Sequence, residues 1–143
     1  MHFPFVQVGA GIFRPIVPVL AWGPSGSLPM DGLLDSGSDR TLLPARQARW
    51  LGIDVDALPT TIAVRSATGQ RVVCKATHLI FDLRRGASRV CWVADVAVTT
   101  QVTLQRPHWG FKGFLEYFLI EFDGPNRAVT LIPGTNLPTT NPP

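Results

Sequence analysis

Asp35 follows the apolar pair Leu33-Leu34 and precedes Ser36-Gly37-Ser38 and the charged Asp39-Arg40. The two leucines read as the end of a buried strand. A carboxylate at that point stands where the chain leaves the core, desolvated yet reachable. Ser36 offers a hydroxyl to the backbone or to a neighbouring chain, and Gly37 permits a tight turn and a close approach of substrate. A carboxylate held in this way has a tunable pKa. A second one placed against it would have to share its proton, which suits the pair to acid–base catalysis. Taken alone, Asp35 also fits a capping or turn aspartate, which is common.

The elements that must position this stretch are strands. Thirteen prolines and thirteen glycines punctuate many short apolar runs, the pattern of a β-rich domain. Phe3 to Val8, Ile16 to Trp22 and Met30 to Leu34 are predicted strands, the last delivering the chain to Asp35. Gly9-Ala10-Gly11 lacks the dinucleotide-binding spacing and precedes no helix, so it reads as a turn. The one clear helix runs from Pro44 to Leu51, with a stripe of Ala45, Ala48 and Leu51 and a closing Gly52. Ile62 to Arg65 and Arg71 to Phe81 are predicted strands around Ser66-Ala67-Thr68-Gly69-Gln70. From the residues alone this is a surface hairpin or a mobile covering loop. Val90 to Val98 is expected to pair with residues 71 to 83. Gly113 to Phe118 is expected to form a short helix. Leu119 to Phe122 and Ala128 to Ile132 are expected to form a last hairpin turned by Asp123-Gly124-Pro125-Asn126.

A chain of 143 residues, 45% of them hydrophobic, can bury one core. Residues 1–132 are expected to form a single domain. Residues 133–143, rich in proline, threonine and asparagine, read as a flexible tail. The formal net charge is +3 and the charges are interleaved, which describes a solvated surface rather than a face for nucleic acid. Residues 3 to 22 are apolar, but Gly9, Gly11, Arg14, Pro15 and Pro18 interrupt them, so no signal peptide or membrane span is expected. A hairpin centred near Gly86 would set Cys74 opposite Val98 and Cys91 opposite Phe81. The two cysteines would then not meet, implying free thiols and a reducing, cytoplasmic location. His2, His78 and His108 are isolated, and no metal or organic cofactor is expected. No Gly-x-Ser-x-Gly elbow marks a serine nucleophile. Trp22, Trp50, Trp92 and Trp109 lie within or beside apolar runs and are expected in the core.

Asp35-Ser36-Gly37-Ser38 resembles the Asp-(Thr/Ser)-Gly-(Ala/Ser) signature of aspartic proteases, and its surroundings resemble the single-domain, retropepsin-like bacterial branch. Phe13-Arg14-Pro15-Ile16-Val17-Pro18-Val19 resembles the strand before the signature, and Leu51-Gly52-Ile53 the end of the helix after it. Gly113-Phe114-Leu115-Glu116-Tyr117-Phe118 resembles the C-terminal Gly-Phe-Leu-x-x-Phe segment, and Ile120 to Pro125 the closing hairpin. The ordered set covers roughly residues 3 to 132.

The resemblance implies an all-β fold, a small closed acid-protease barrel with a short helix after the active-site loop and another near the C-terminus. It implies an aspartic endopeptidase with Asp35 as general acid and base. It also implies Ser36, Gly37 and Ser38 in the active-site loop, and Asp39 and Arg40 as a charged pair supporting that loop or the dimer. Ala67, Thr68, Gly69 and Gln70 would be the tip of a flap over a bound peptide. Only one signature occurs, so two carboxylates can meet only by twofold symmetry, and the active form would be a homodimer. The partners are thus a second copy and a peptide or protein substrate. The alternative is a non-catalytic module of the same fold that binds peptides or regulates. Two departures bear on the choice. Gly110-Phe111-Lys112 lacks the arginine usual after this glycine, leaving Phe111 to substitute by packing or to line a substrate pocket. The proline-rich end would interrupt the terminal strand pairing used by retroviral relatives, so a dimer would use other surfaces.

Overall fold

The computed structural model describes residues 1–65, 69, 71–100 and 104–141. Twelve strands run in the order β1 (His2–Pro4), β2 (Val6–Gly9), β3 (Ile12–Arg14), β4 (Ile16–Gly23), β5 (Gly26–Leu34) and β6 (Leu42–Pro44), then β7 (Thr61–Arg65), β8 (Arg71–Arg85), β9 (Ser88–Thr99), β10 (His108–Trp109), β11 (Phe118–Asp123) and β12 (Ala128–Pro133). Helix α1 (Ala45–Trp50) follows β6, and one 3-10 turn (Leu115–Tyr117) precedes β11. β4, β5, β10, β6, β9 and β8 are hydrogen-bonded in that order, and β8 returns to β4 through Leu20–Trp22 and Ile80–Asp82. The six strands close a barrel, with β7 added outside β8. This is the expected closed all-β architecture.

Period-two alternation fills the barrel. Val17, Val19 and Ala21 of β4, Leu79, Phe81 and Leu83 of β8, and Trp92, Ala94, Val96 and Val98 of β9 are buried. Five aromatic rings form its centre. Trp92 meets Phe81, Phe114 and Phe118, while Trp109 stacks on Phe114 at 5.5 Å with an interplanar angle of 6°. Both indole N–H groups are satisfied inside the protein: Trp92 donates to the Gly113 carbonyl and Trp109 to that of Val17, each at 2.9 Å.

Several expectations needed correction. The β8–β9 hairpin turns on two residues, with Arg85 opposite Ser88 and Gly86 at φ +57° in the first central position. Turn length sets register, so every pair shifts by one: Cys91 faces Asp82 and Lys75 faces Val98. The thiols nevertheless stay free and buried. Burial pushes both up from the ordinary thiol range, with hydrogen bonding to Asp82 adding to the effect at Cys91. The expected Phe3–Val8 strand divides: β1 pairs with β12, and β2 pairs with β3. Trp50 is 64% exposed. The buried face of α1 is Ala45 and Ala48, continued by Leu51, and Trp50 falls on the other side. The short strands β6 and β10 carry too little pattern to be foreseen. The helix expected over Gly113–Phe118 reduces to a single 3-10 turn.

Beyond β12, the Asn136 amide donates to the Glu116 carbonyl at 2.9 Å, and the Thr140 N–H to that of Cys91 at 2.9 Å.

Candidate active site

β5 and β10 run parallel, with Leu33 opposite His108 and Leu34 opposite Trp109. Leu34 and Trp109 turn into the core, which places Leu33 and His108 on the other face. The Asp35 N–H continues the ladder to the Trp109 carbonyl at 3.1 Å. The chain then turns. The Gly37 N–H donates to Asp35 Oδ1 at 3.0 Å and the Ser38 N–H to the Asp35 carbonyl at 3.1 Å, an Asx-type turn that aims the carboxylate. The Asp35 side chain is 31% exposed. Ser36 and Gly37 are exposed. Ser38 is buried, and its hydroxyl donates to the Arg40 carbonyl at 2.7 Å.

Residues 110–112 tie this loop down through the backbone. The Phe111 N–H donates to the Ser38 carbonyl at 2.8 Å, Lys112 N–H to Asp39 at 3.0 Å, and Thr41 N–H to Lys112 at 2.9 Å. Gly110 fits because a Cβ there would stand 2.1 Å from the Arg40 oxygen. The Asp39 carbonyl accepts from the Lys112 N–H and the Arg40 carbonyl from the Ser38 hydroxyl. Among the described residues neither side chain joins an ion pair. Phe111 is 59% exposed and anchors the segment by its amide, not by buried packing. Lys112 supplies an ion pair where an arginine is missing: its ammonium lies 3.0 Å from Asp95 Oδ2, and His78 Nε2 lies 2.7 Å from Oδ1. Burial would raise the Asp95 carboxyl, but the hydrogen bond and charge of Lys112, with His78, hold it below the usual carboxylate range.

The β7–β8 hairpin pairs from Thr61 opposite Lys75 to Arg65 opposite Arg71. Val64 and Cys74 pack on Ala97 of β9, with Leu42, Ile62 and Val72 around them. Leu42 lies opposite His108 across β6 and β10, so this apolar cluster borders the Asp35 loop. Gly69 is exposed at φ +81° with open space around it. Ala67, Thr68 and Gln70 lie outside the described residues.

One neighbour of Asp35 was not foreseen. His108 Nδ1 stands 2.8 Å from Asp35 Oδ2. In the sequence it is a lone histidine two residues before Gly110, inside no recognisable pattern. Its sole signal is adjacency to the segment that returns beside the Asp-Ser-Gly loop. Among the described residues no three His, Cys, Asp or Glu side chains gather as a metal site, and no helix is long and apolar enough to cross a membrane.

A solved structure shares this architecture. A retropepsin-like aspartic protease from Rickettsia conorii aligns over 92% of this chain and 97% of its own, with a TM-score of 0.61 and 16% identity. The retroviral protease-like domain of Ddi1 from Leishmania major aligns over 89% of this chain and 95% of its own, with a TM-score of 0.48 and 13% identity. No protein-family model matches the chain, and no curated protein sequence matches it. The fold is that of the retropepsin-like proteases.

Proposed function

We propose that the chain is an aspartic endopeptidase that works as a homodimer, with Asp35 of each subunit meeting on a twofold axis. The observation that carries this reading is the placement of Asp35. It leaves the end of a barrel strand in a retropepsin-like fold, one oxygen held by the Gly37 N–H and the side chain open to solvent. In the pair, one carboxylate is ionised and takes a proton from water as the water oxygen attacks the scissile carbonyl carbon. The other, protonated, gives its proton to the carbonyl oxygen. Collapse of the resulting diol breaks the C–N bond, and the amine leaves with a proton from the dyad. Water is the nucleophile, so no metal or cofactor enters.

The substrate is an extended peptide, bound by main-chain hydrogen bonds beneath the β7–β8 hairpin. Its apolar side chains lie against Leu42, Ile62 and Val72. Ala67, Thr68, Gly69 and Gln70 close over it, and Phe111 borders a subsite. The two unpaired thiols fit a reducing compartment such as the cytoplasm. A peptide-binding module without catalysis is the second reading. It is favoured by Asp35 Oδ2 being already engaged by His108 within one subunit.

Sedimentation equilibrium over a wide concentration range, with cleavage of a mixed peptide library followed on the same samples, separates the two. The protease reading expects cleavage to track the dimer population and Asp35→Asn to abolish it in a folded protein. A persistent monomer without cleavage would select the binding module.

A further inference from the structure

The Asp35 carboxylate has a contact that a pair of carboxylates does not require. Gly37 N–H occupies Oδ1, and His108 Nδ1 stands against Oδ2. The two side chains are 31% and 27% exposed, so the pair sits at the surface opening of the barrel rather than in the core. His108 is nevertheless well anchored. Its strand is flanked by Leu33 on one side and Leu42 on the other. The preceding Pro107 carbonyl accepts from the Leu33 N–H at 2.9 Å, and the following Trp109 is fully buried. Among the described residues Nε2 of the ring has no hydrogen-bond partner.

We propose that His108 is a positioning residue that holds Asp35 Oδ2 in both of the roles the dyad demands. The inference rests on the protease reading above. Two identical subunits must present two different groups, a carboxylate and a carboxylic acid. A neutral imidazole serves either one. With its proton on Nδ1 it donates to the ionised carboxylate; with its proton on Nε2 it accepts at Nδ1 from the carboxylic acid until that proton passes to the scissile carbonyl oxygen. One residue type thereby fixes the outer oxygen on both sides of an asymmetric pair. An apolar side chain would leave that oxygen unheld, and a lysine or arginine could only donate. On β5, in the loop of residues 35–41 and beside β10 the other ionisable residues are Asp31, Asp39, Arg40, Arg106 and Lys112, while β6 carries none. Among the described residues the imidazole's hydrogen bond and ion pair are with Asp35, and Lys112 is engaged by Asp95.

The test uses the full chain at concentrations where it is dimeric and the fastest-cleaved member of a quenched fluorescent peptide library. His108→Leu is expected to lower kcat at least tenfold while KM changes less than twofold. His108→Asn, whose amide can donate or accept at the same place, is expected to recover most of kcat, with a pH–rate profile lacking one ionisation of the natural protein. Ring 15N–1H spectra should show the His108 signals moving in Asp35→Asn. If His108→Leu fails to fold, the pH profile of His108→Asn and the spectra decide. A His108→Leu protein with undiminished kcat, a His108→Asn profile superimposable on the natural one, or spectra blind to Asp35→Asn would overturn this inference and leave the protease reading standing. A natural protein that cleaves nothing at any concentration would remove the protease reading, and this role with it.

Discussion

Replacing Gly110 by alanine would drive a methyl carbon to 2.1 Å from the Arg40 carbonyl oxygen and 2.8 Å from that of Ser38. Real Cβ atoms essentially never come within 3.0 Å of such an atom, so the Arg40 carbonyl has to retreat by about 0.9 Å. Three bonds span the same gap: Phe111 N–H to Ser38, Lys112 N–H to Asp39 and Thr41 N–H to Lys112, at 2.8, 3.0 and 2.9 Å. The Thr41 N–H belongs to the Arg40 peptide plane, so a retreat of that size takes its bond to Lys112 outside hydrogen-bonding range, while the Ser38 carbonyl need yield only about 0.2 Å. At about 1 kcal/mol for that bond and about 2 kcal/mol for the forced displacement, the loss comes to about 3 kcal/mol. The backbone of Gly110 is not in the left-handed region, so the effect is steric and not conformational. Urea unfolding at fixed protein concentration measures it: Gly110→Ala should lower the midpoint with an unchanged slope. It should also lower cleavage where the variant is still folded, because the displaced segment carries Ser38. Gly124→Ala is the control. It has nothing within 4 Å and should stay within about 0.5 kcal/mol of the natural protein. A Gly110→Ala protein with the natural midpoint and full activity would refute the claim that backbone contact between residues 110–112 and 38–41 holds the loop.

Asp82 is fully buried and ion-paired with the half-exposed Arg84 and Arg89. Burial would raise its carboxyl, but hydrogen bonds from both guanidiniums outweigh it and hold the carboxyl far below the usual range. A depressed folded value means a contribution present above the unfolded carboxylate range of about 4 and lost progressively as pH falls below it. Melting temperature should therefore be flat near neutrality and fall below about pH 4, and Asp82→Asn should flatten that acid limb. An unaltered limb in the variant would assign acid sensitivity elsewhere. Trp109→Phe keeps a ring against Phe114 but gives up the indole N–H bond to the Val17 carbonyl, which keeps its ladder pairing with Gly32, and shrinks a fully buried side chain. It should cost about 2 kcal/mol in urea unfolding, and a cost below about 0.5 kcal/mol would mean that the core closes over the lost ring.

The strands long enough to show alternation were legible because burial on one face writes itself into every second residue, as in Val17, Val19 and Ala21. The stripe of α1 and the turn at Asp123–Asn126 were legible for the same local reasons. β6 and β10, of three and two residues, were not, since neither is long enough to carry a period. They exist because β5 and β9 offer them edges to pair with.

Within the candidate site, the sequence by itself determined the Asx turn. Asp35 and Gly37 are two residues apart, and a carboxylate reaches an N–H at that distance without help from the rest of the chain. It also determined that a lone Asp-Ser-Gly needs a second copy for dyad chemistry. Tertiary structure alone decided what faces the other oxygen. His108 lies 73 residues from Asp35 and reaches it because β10 inserts parallel to β5. Tertiary structure also decided the register of Cys91 and the engagement of Lys112 by Asp95. In each case the partner is chosen by strand pairing and turn length, which join residues remote in sequence and leave no local trace in either segment.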